Sequence, residues 1–152
     1  ALCEAAAYYK MKGMTLWDAM IAMYEKYGYY KDAVKSIELK GIEGLAKIQK
    51  IMDTLRSSTP EKLGEYPVVS ARDYKLDTVK DMKTGEVKPT GLPESNVLYY
   101  DLPDNAWVCV RPSGTEPKVK IYYGVKGMSL EDADAKSAAL GDAVLSMING
   151  MI

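Results

Sequence analysis

Histidine is absent from the 152 residues, and with it the commonest general base and the commonest ligand of transition metals. No run of aspartates offers an oxygen cage for Mg²⁺. The two cysteines, Cys3 and Cys109, show no metal-ligand spacing and make no disulfide framework, which fits a reduced, cytoplasmic setting. Neither sign of charge is in excess: 20 basic and 21 acidic residues leave a net −1. The basic excess usual for proteins of nucleic acid or anionic membranes is therefore missing. No apolar run approaches a membrane span, and no signal-peptide pattern opens the chain. If the chain belongs to an enzyme, these absences predict that most of the chemistry lies elsewhere.

What is present describes an ordinary soluble globular protein, 47% apolar and 27% charged, with room for one good core or one domain plus a piece of another. The chain reads as helix from Ala1, stopped at Gly13. With no initiator Met, cap or polar lead-in, it is expected to be cut from a longer protein. Thr15, with Asp18 three residues on, predicts a capped second helix bearing Leu16, Ala19, Met20, Met23 and Tyr27 on one face and ending at Gly28. Two short helices bury too little to stand alone, so they are expected to dock on a neighbour. Tyr29 and Tyr30 then read as a linker.

Alternation over 33–39 predicts a strand. Gly41 to Gly44 read as the turn into a helix whose apolar face is Leu45, Ile48, Ile51, Met52 and Leu55, stopped at Ser57-Ser58-Thr59-Pro60. Tyr66 to Tyr74 reads as a second strand. The stretch 76–95 reads as a long exposed excursion with one turn of helix at Thr78 to Met82. Three strands are expected next, at Asn96 to Leu102, Ala106 to Val110 and Lys118 to Val125, the first two joined by a tight turn at Asp104-Asn105. Connections this short require antiparallel neighbours. Ser129 caps a closing helix with an apolar face of Leu130, Ala133, Ser137, Leu140, Val144, Leu145 and Ile148. The resulting fold class is α+β: strand, helix, four strands, helix, with an antiparallel sheet and helices on one side, preceded by two further helices.

Chemistry concentrates in Arg111-Pro112-Ser113-Gly114-Thr115-Glu116-Pro117-Lys118-Val119-Lys120, between the last two strands. Arginine offers a planar fork of donors to an oxyanion. A Ser-Gly-Thr turn can aim backbone N–H groups and hydroxyls into one concavity. The prolines restrict φ, so the loop has less entropy to lose on binding. Strand alternation puts Lys118 and Lys120 on one face near the loop's mouth. The same residues also serve as a hairpin turn with solvated charges. Two other roles stay open: a nucleic-acid module, since antiparallel sheets can present aromatic platforms and the chain has twelve tyrosines, and a purely structural domain.

Arg111 through Lys118 resembles the phosphate-binding loop of the α-D-phosphohexomutase family, the phosphoglucomutases and phosphomannomutases. Tyr29-Tyr30-Lys31 and Gly91-Leu92-Pro93-Glu94-Ser95-Asn96-Val97-Leu98 are most similar to its phosphoglucomutase/phosphopentomutase branch. The resemblance implies a TATA-binding-protein-like fourth domain at residues 29–152, with 1–28 closing the third domain. It implies that Arg111, Ser113, Gly114 and Thr115 hold the phosphate of a phosphosugar. Lys120 stands where many members have Arg, and Lys118 is a neighbouring cation. Interconversion of sugar 1- and 6-phosphates through a phosphoserine and a bisphosphorylated intermediate is likewise implied, with glucose the first choice of sugar. Mg²⁺ and glucose 1,6-bisphosphate then belong to the full enzyme, as do the serine, metal and sugar loops of the missing N-terminal domains. No catalytic and no metal-binding residue is expected here, and Ser113 is not the phosphorylated serine.

Overall fold

The computed structural model describes residues 1–39, 41 and 43–152. Along the chain run α1 (Leu2–Met11), α2 (Leu16–Tyr27), β1 (Tyr29–Glu38), α3 (Glu43–Ser57), β2 (Lys62–Leu63), β3 (Tyr66–Pro67) and β4 (Ser70–Asp73). Then follow β5 (Thr78–Asp81), β6 (Val87–Lys88), β7 (Leu98–Asp101), β8 (Trp107–Pro112), β9 (Lys118–Gly127) and α4 (Leu130–Asn149). Seven strands form one sheet in the order β1-β9-β8-β7-β4-β5-β6, antiparallel at each described pairing. β2 and β3 make a separate small hairpin. The class is α+β, as the pattern predicts.

Alternation decides which face is covered. Val119, Ile121, Tyr123 and Val125 on β9 are buried with Val108 and Val110 on β8 and Leu98 and Tyr100 on β7. Ile48, Ile51, Met52 and Leu55 of α3 and Leu140, Val144 and Ile148 of α4 join the same core. Both helices thus lie on one face, and among the described residues no second layer covers the other. Ser129 caps α4 as expected, its side chain accepting the Asp132 N–H, and α2 begins with the full Thr15–Asp18 capping box.

Several expectations are corrected. Tyr29 and Tyr30 are not a linker: β9 continues to Gly127, and Tyr29 pairs with Gly127 and Tyr30 with Lys126. Leu45 is 69% exposed, because Gly44 takes the inward position one turn before Ile48. The turn expected over 41–44 includes Ile42, which with Lys40 lies outside the described residues. The single strand over 66–74 divides, Tyr66–Pro67 pairing with β2 and Ser70–Asp73 entering the main sheet. Thr78 to Met82 is no helical turn. Thr78–Asp81 pairs with β4, and β6 pairs with β5, so part of the 76–95 excursion extends the sheet. Its turn is tied locally: Asp81 Oδ1 accepts the N–H groups of Lys83 at 2.9 Å and Thr84 at 2.7 Å, and Gly85 takes φ +74°. The 104–105 turn is as read, with φ +56° and +59° at Asp104 and Asn105.

Gly127 shows where strand and helix are pressed together. A Cβ there would meet the Ala133 nitrogen and come within 2.7 Å of its Cα, a backbone that α4 cannot shift alone. Gly127→Ala is expected to destabilise the fold by about 3 kcal/mol through overpacking. Denaturant midpoints check this, and an unchanged midpoint would show that α4 can slide.

Candidate functional site

The loop of interest is a short hairpin connection from β8 to β9. The Ser113 N–H donates to the Lys118 carbonyl at 2.8 Å, and the Lys118 N–H to the Glu116 carbonyl at 2.7 Å. A third bond comes from the Leu39 N–H, which donates to the Pro117 carbonyl at 2.9 Å and fastens the loop to the end of β1. Lys118 Nζ lies 3.3 Å from Glu116 Oε1, an ion pair inside the loop. Among the described residues, no protein partner is recorded for the amides of Gly114 and Thr115 or the side chains of Arg111, Ser113 and Thr115.

Register brings in the remaining groups. Arg111 pairs with Lys120, and paired positions of an antiparallel ladder share a face. That face is the uncovered one, since Val110 and Val119 point into the core. Two cations on directly opposed positions repel each other, and among the described residues neither has a carboxylate within salt-bridge distance. An anion resting between them would relieve that repulsion, and a guanidinium fork is suited to hold one. Lys118, also on this face, stands opposite Glu38 in the ladder and makes its ion pair with Glu116. Its charge is already met within the protein, which separates it from Lys120.

Cys109 lies on the same strand and face between Trp107 and Arg111. Burial pushes its thiol up, with Arg111 pulling weakly the other way, so it is held as a thiol rather than a nucleophilic thiolate. Further along this face Tyr99 and Trp107 stack at 5.6 Å with ring planes 6° apart. Arg72 lies 5.2 Å from the Tyr99 ring. These two rings stack on each other, and the chain's net charge of −1 supplies no basic excess for a nucleic-acid backbone. Among the described residues, no group of three or more acidic or sulfur ligands could hold a metal ion, and no helix is long and apolar enough to cross a membrane.

Residues 43–135 match the family described as phosphoglucomutase/phosphomannomutase, C-terminal domain. The chain belongs to that family. A phosphoglucomutase of Staphylococcus aureus (strain bovine RF122 / ET3-1) is 34% identical over 139 residues, 91% of this chain and 25% of its own length. One from Staphylococcus saprophyticus is 31% identical over 120 residues, covering 79% of this chain and 22% of its own. The chain therefore spans about a quarter of the length of the curated relatives it matches. Among solved structures, the open form of the Paramecium phosphoglucomutase parafusin superposes with a TM-score of 0.50 at 15% identity. That match covers 94% of this chain and 24% of the other, and it bears on the fold alone. The phosphohexomutase domain so defined begins within the described sheet-and-helix unit and includes the whole 111–120 loop.

Of the six residues singled out in the sequence, Arg111 and Lys120 share a row, and Ser113, Gly114 and Thr115 occupy the loop beside it. Lys118 turns to Glu116. Glu38 was not anticipated, because pairing between β1 and β9 joins residues some eighty positions apart.

Proposed function

We propose that this domain holds the non-transferring phosphate of a phosphosugar within a mutase that interconverts sugar 1- and 6-phosphates, glucose being the first choice of sugar. The observation that carries the reading is the Arg111–Lys120 pair, two facing cations without a carboxylate among the described residues, beside a loop of free donors. Arg111 grips phosphate oxygens as a fork, Lys120 adds a point charge, and Ser113, Gly114 and Thr115 supply hydroxyls and amides. Both sugar-phosphate isomers must present a phosphate here. Backbone donors and cations tolerate that exchange better than shape-specific contacts do. Binding energy from the remote phosphate then orients the reacting end.

In this reading the phosphoserine, the Mg²⁺ site and the sugar-reading loop reside in domains preceding residue 29, glucose 1,6-bisphosphate is the full enzyme's intermediate, and the enzyme is cytoplasmic. The chain alone binds without catalysing. Residues 1–28 are assigned to the preceding domain. Neither α1 nor α2 buries a residue, and they line an apolar groove of about 530 Å³ that includes Met20, Met23 and Tyr27, suited to cover by the preceding chain. Gly28, at φ +112° directly before β1, is the place for a hinge that closes the domain over substrate and excludes water.

Titrating the chain with glucose 1,6-bisphosphate while following amide shifts tests the site. Shifts at Ser113 to Thr115 are expected at millimolar ligand, and silence there up to that concentration would sink the reading. In the same titration Lys120→Met should weaken binding by about 10-fold, the loss of one charge-assisted contact. Lys118→Met should change it by less than about 3-fold, since its partner is an exposed carboxylate. Equal losses at the two positions would erase the distinction between them.

A further inference from the structure

We propose that Ser36 of β1 is a phosphate ligand, so that the anion site stands on three adjacent strands; this deepens the phosphate-binding reading and rests on it. Ser36 pairs with Lys120, and Lys120 pairs with Arg111. The three residues form one row across β1, β9 and β8 on the uncovered face, about 4.8 Å from strand to strand. Ser36 is exposed, and no side-chain hydrogen bond is recorded for it among the described residues.

The neighbouring rows show what makes this one different. One step towards the loop, Glu38 stands opposite Lys118, whose ion pair is with Glu116. One step away, the apolar Val34 faces Tyr122. Where the lysine is neutralised within the protein, β1 presents an acid; where the lysine is left available, β1 presents a neutral hydroxyl. A hydroxyl can accept from the Lys120 ammonium and donate to a phosphate oxygen at the same time. A carboxylate at this position would pair with Lys120 and compete with the ligand. The ligand class is a phosphomonoester dianion, approached by Arg111 from one side of Lys120 and Ser36 from the other. Because β1 leaves Gly28 directly, a phosphate held by Ser36 is tied to the strand that continues from the hinge.

The test is the amide-shift titration of the 152-residue chain with glucose 1,6-bisphosphate, comparing Ser36→Ala, Ser36→Thr, Ser36→Asp and Arg111→Ala. Ser36→Ala should weaken binding by about 3- to 10-fold, Ser36→Thr should keep most of it, and Ser36→Asp should abolish the response at Ser113 to Thr115. The position is exposed on an edge strand, so the amide spectrum of each variant should remain that of the folded chain. If Ser36→Ala binds as well as the parent while Arg111→Ala is weakened, the three-strand site is overturned and the phosphate reading survives. If neither weakens binding, both fall. A loss in Ser36→Thr equal to that in Ser36→Ala would mean that the hydroxyl is not the operative group, and this too overturns the inference.

Discussion

Replacing Arg111 by alanine is expected to weaken phosphosugar binding by about 10- to 100-fold, the equivalent of ~1.5–3 kcal/mol in hydrogen bonds to a charged group. In the 152-residue chain this appears as loss of saturation at Ser113 to Thr115 in the glucose 1,6-bisphosphate titration. In a complete mutase it is expected mainly as a raised KM, because in the proposed reading this loop holds the phosphate that is not transferred. Stability should move the other way or not at all. Arg111 faces Lys120 directly, so its removal relieves a like-charge contact and should leave folding within about 0.5 kcal/mol of the parent. Arg111→Lys should fall between, keeping the charge and losing the fork. A variant that binds as well as the parent would take Arg111 out of the site.

The largest effect on stability is expected at Asp73. Arg56 Nε donates to Asp73 Oδ2 at 3.0 Å, and the two side chains are only 9% and 11% exposed. A second nitrogen of the guanidinium donates to Asn96. Nη1 is buried with no hydrogen-bond partner among the described residues, and Asp53 Oδ1 lies 3.7 Å from it. Asp73 also accepts the Lys75 N–H at 3.0 Å. Asp73→Ala leaves a buried guanidinium without its principal counter-charge, which should cost about 3–5 kcal/mol and lower Tm by about 6–20 °C. The Arg72–Asp101 pair supplies the control. It is bidentate at 2.9 and 3.0 Å, but its side chains are 40% and 29% exposed. Asp101→Ala should therefore cost about 1 kcal/mol or less. Similar Tm shifts for the two variants would show that the Arg56 guanidinium readily finds water or Asp53 in place of Asp73.

Local signals carried much of the fold. The Thr15–Asp18 capping box, the Ser129 cap and the turn at Asp104-Asn105 depend on neighbours within four residues, so their chemistry is written in consecutive letters. Strand alternation from Lys118 onward was legible for the same reason, and it put Lys118 and Lys120 on one face. The stretch over 78–88 was not legible. Its strands exist because β4 offers an open edge to pair with, and nothing within the stretch itself declares that edge. Tyr29 and Tyr30 passed as a linker because their partners, Gly127 and Lys126, stand nearly a hundred residues away.

The Arg111–Lys120 loop shows the same division at the site itself. Residue types and spacing alone gathered a guanidinium, two hydroxyls and two ammonium groups into one short stretch, and its motif resembles that of the phosphohexomutases. Residue types left Lys118 and Lys120 equivalent. Tertiary structure decided between them: the ladder sets Glu38 opposite Lys118 and Ser36 opposite Lys120, while Glu116 folds back on Lys118 alone. Periodicity fixes the face on which a side chain stands, but only the pairing of distant strands fixes which charges meet there.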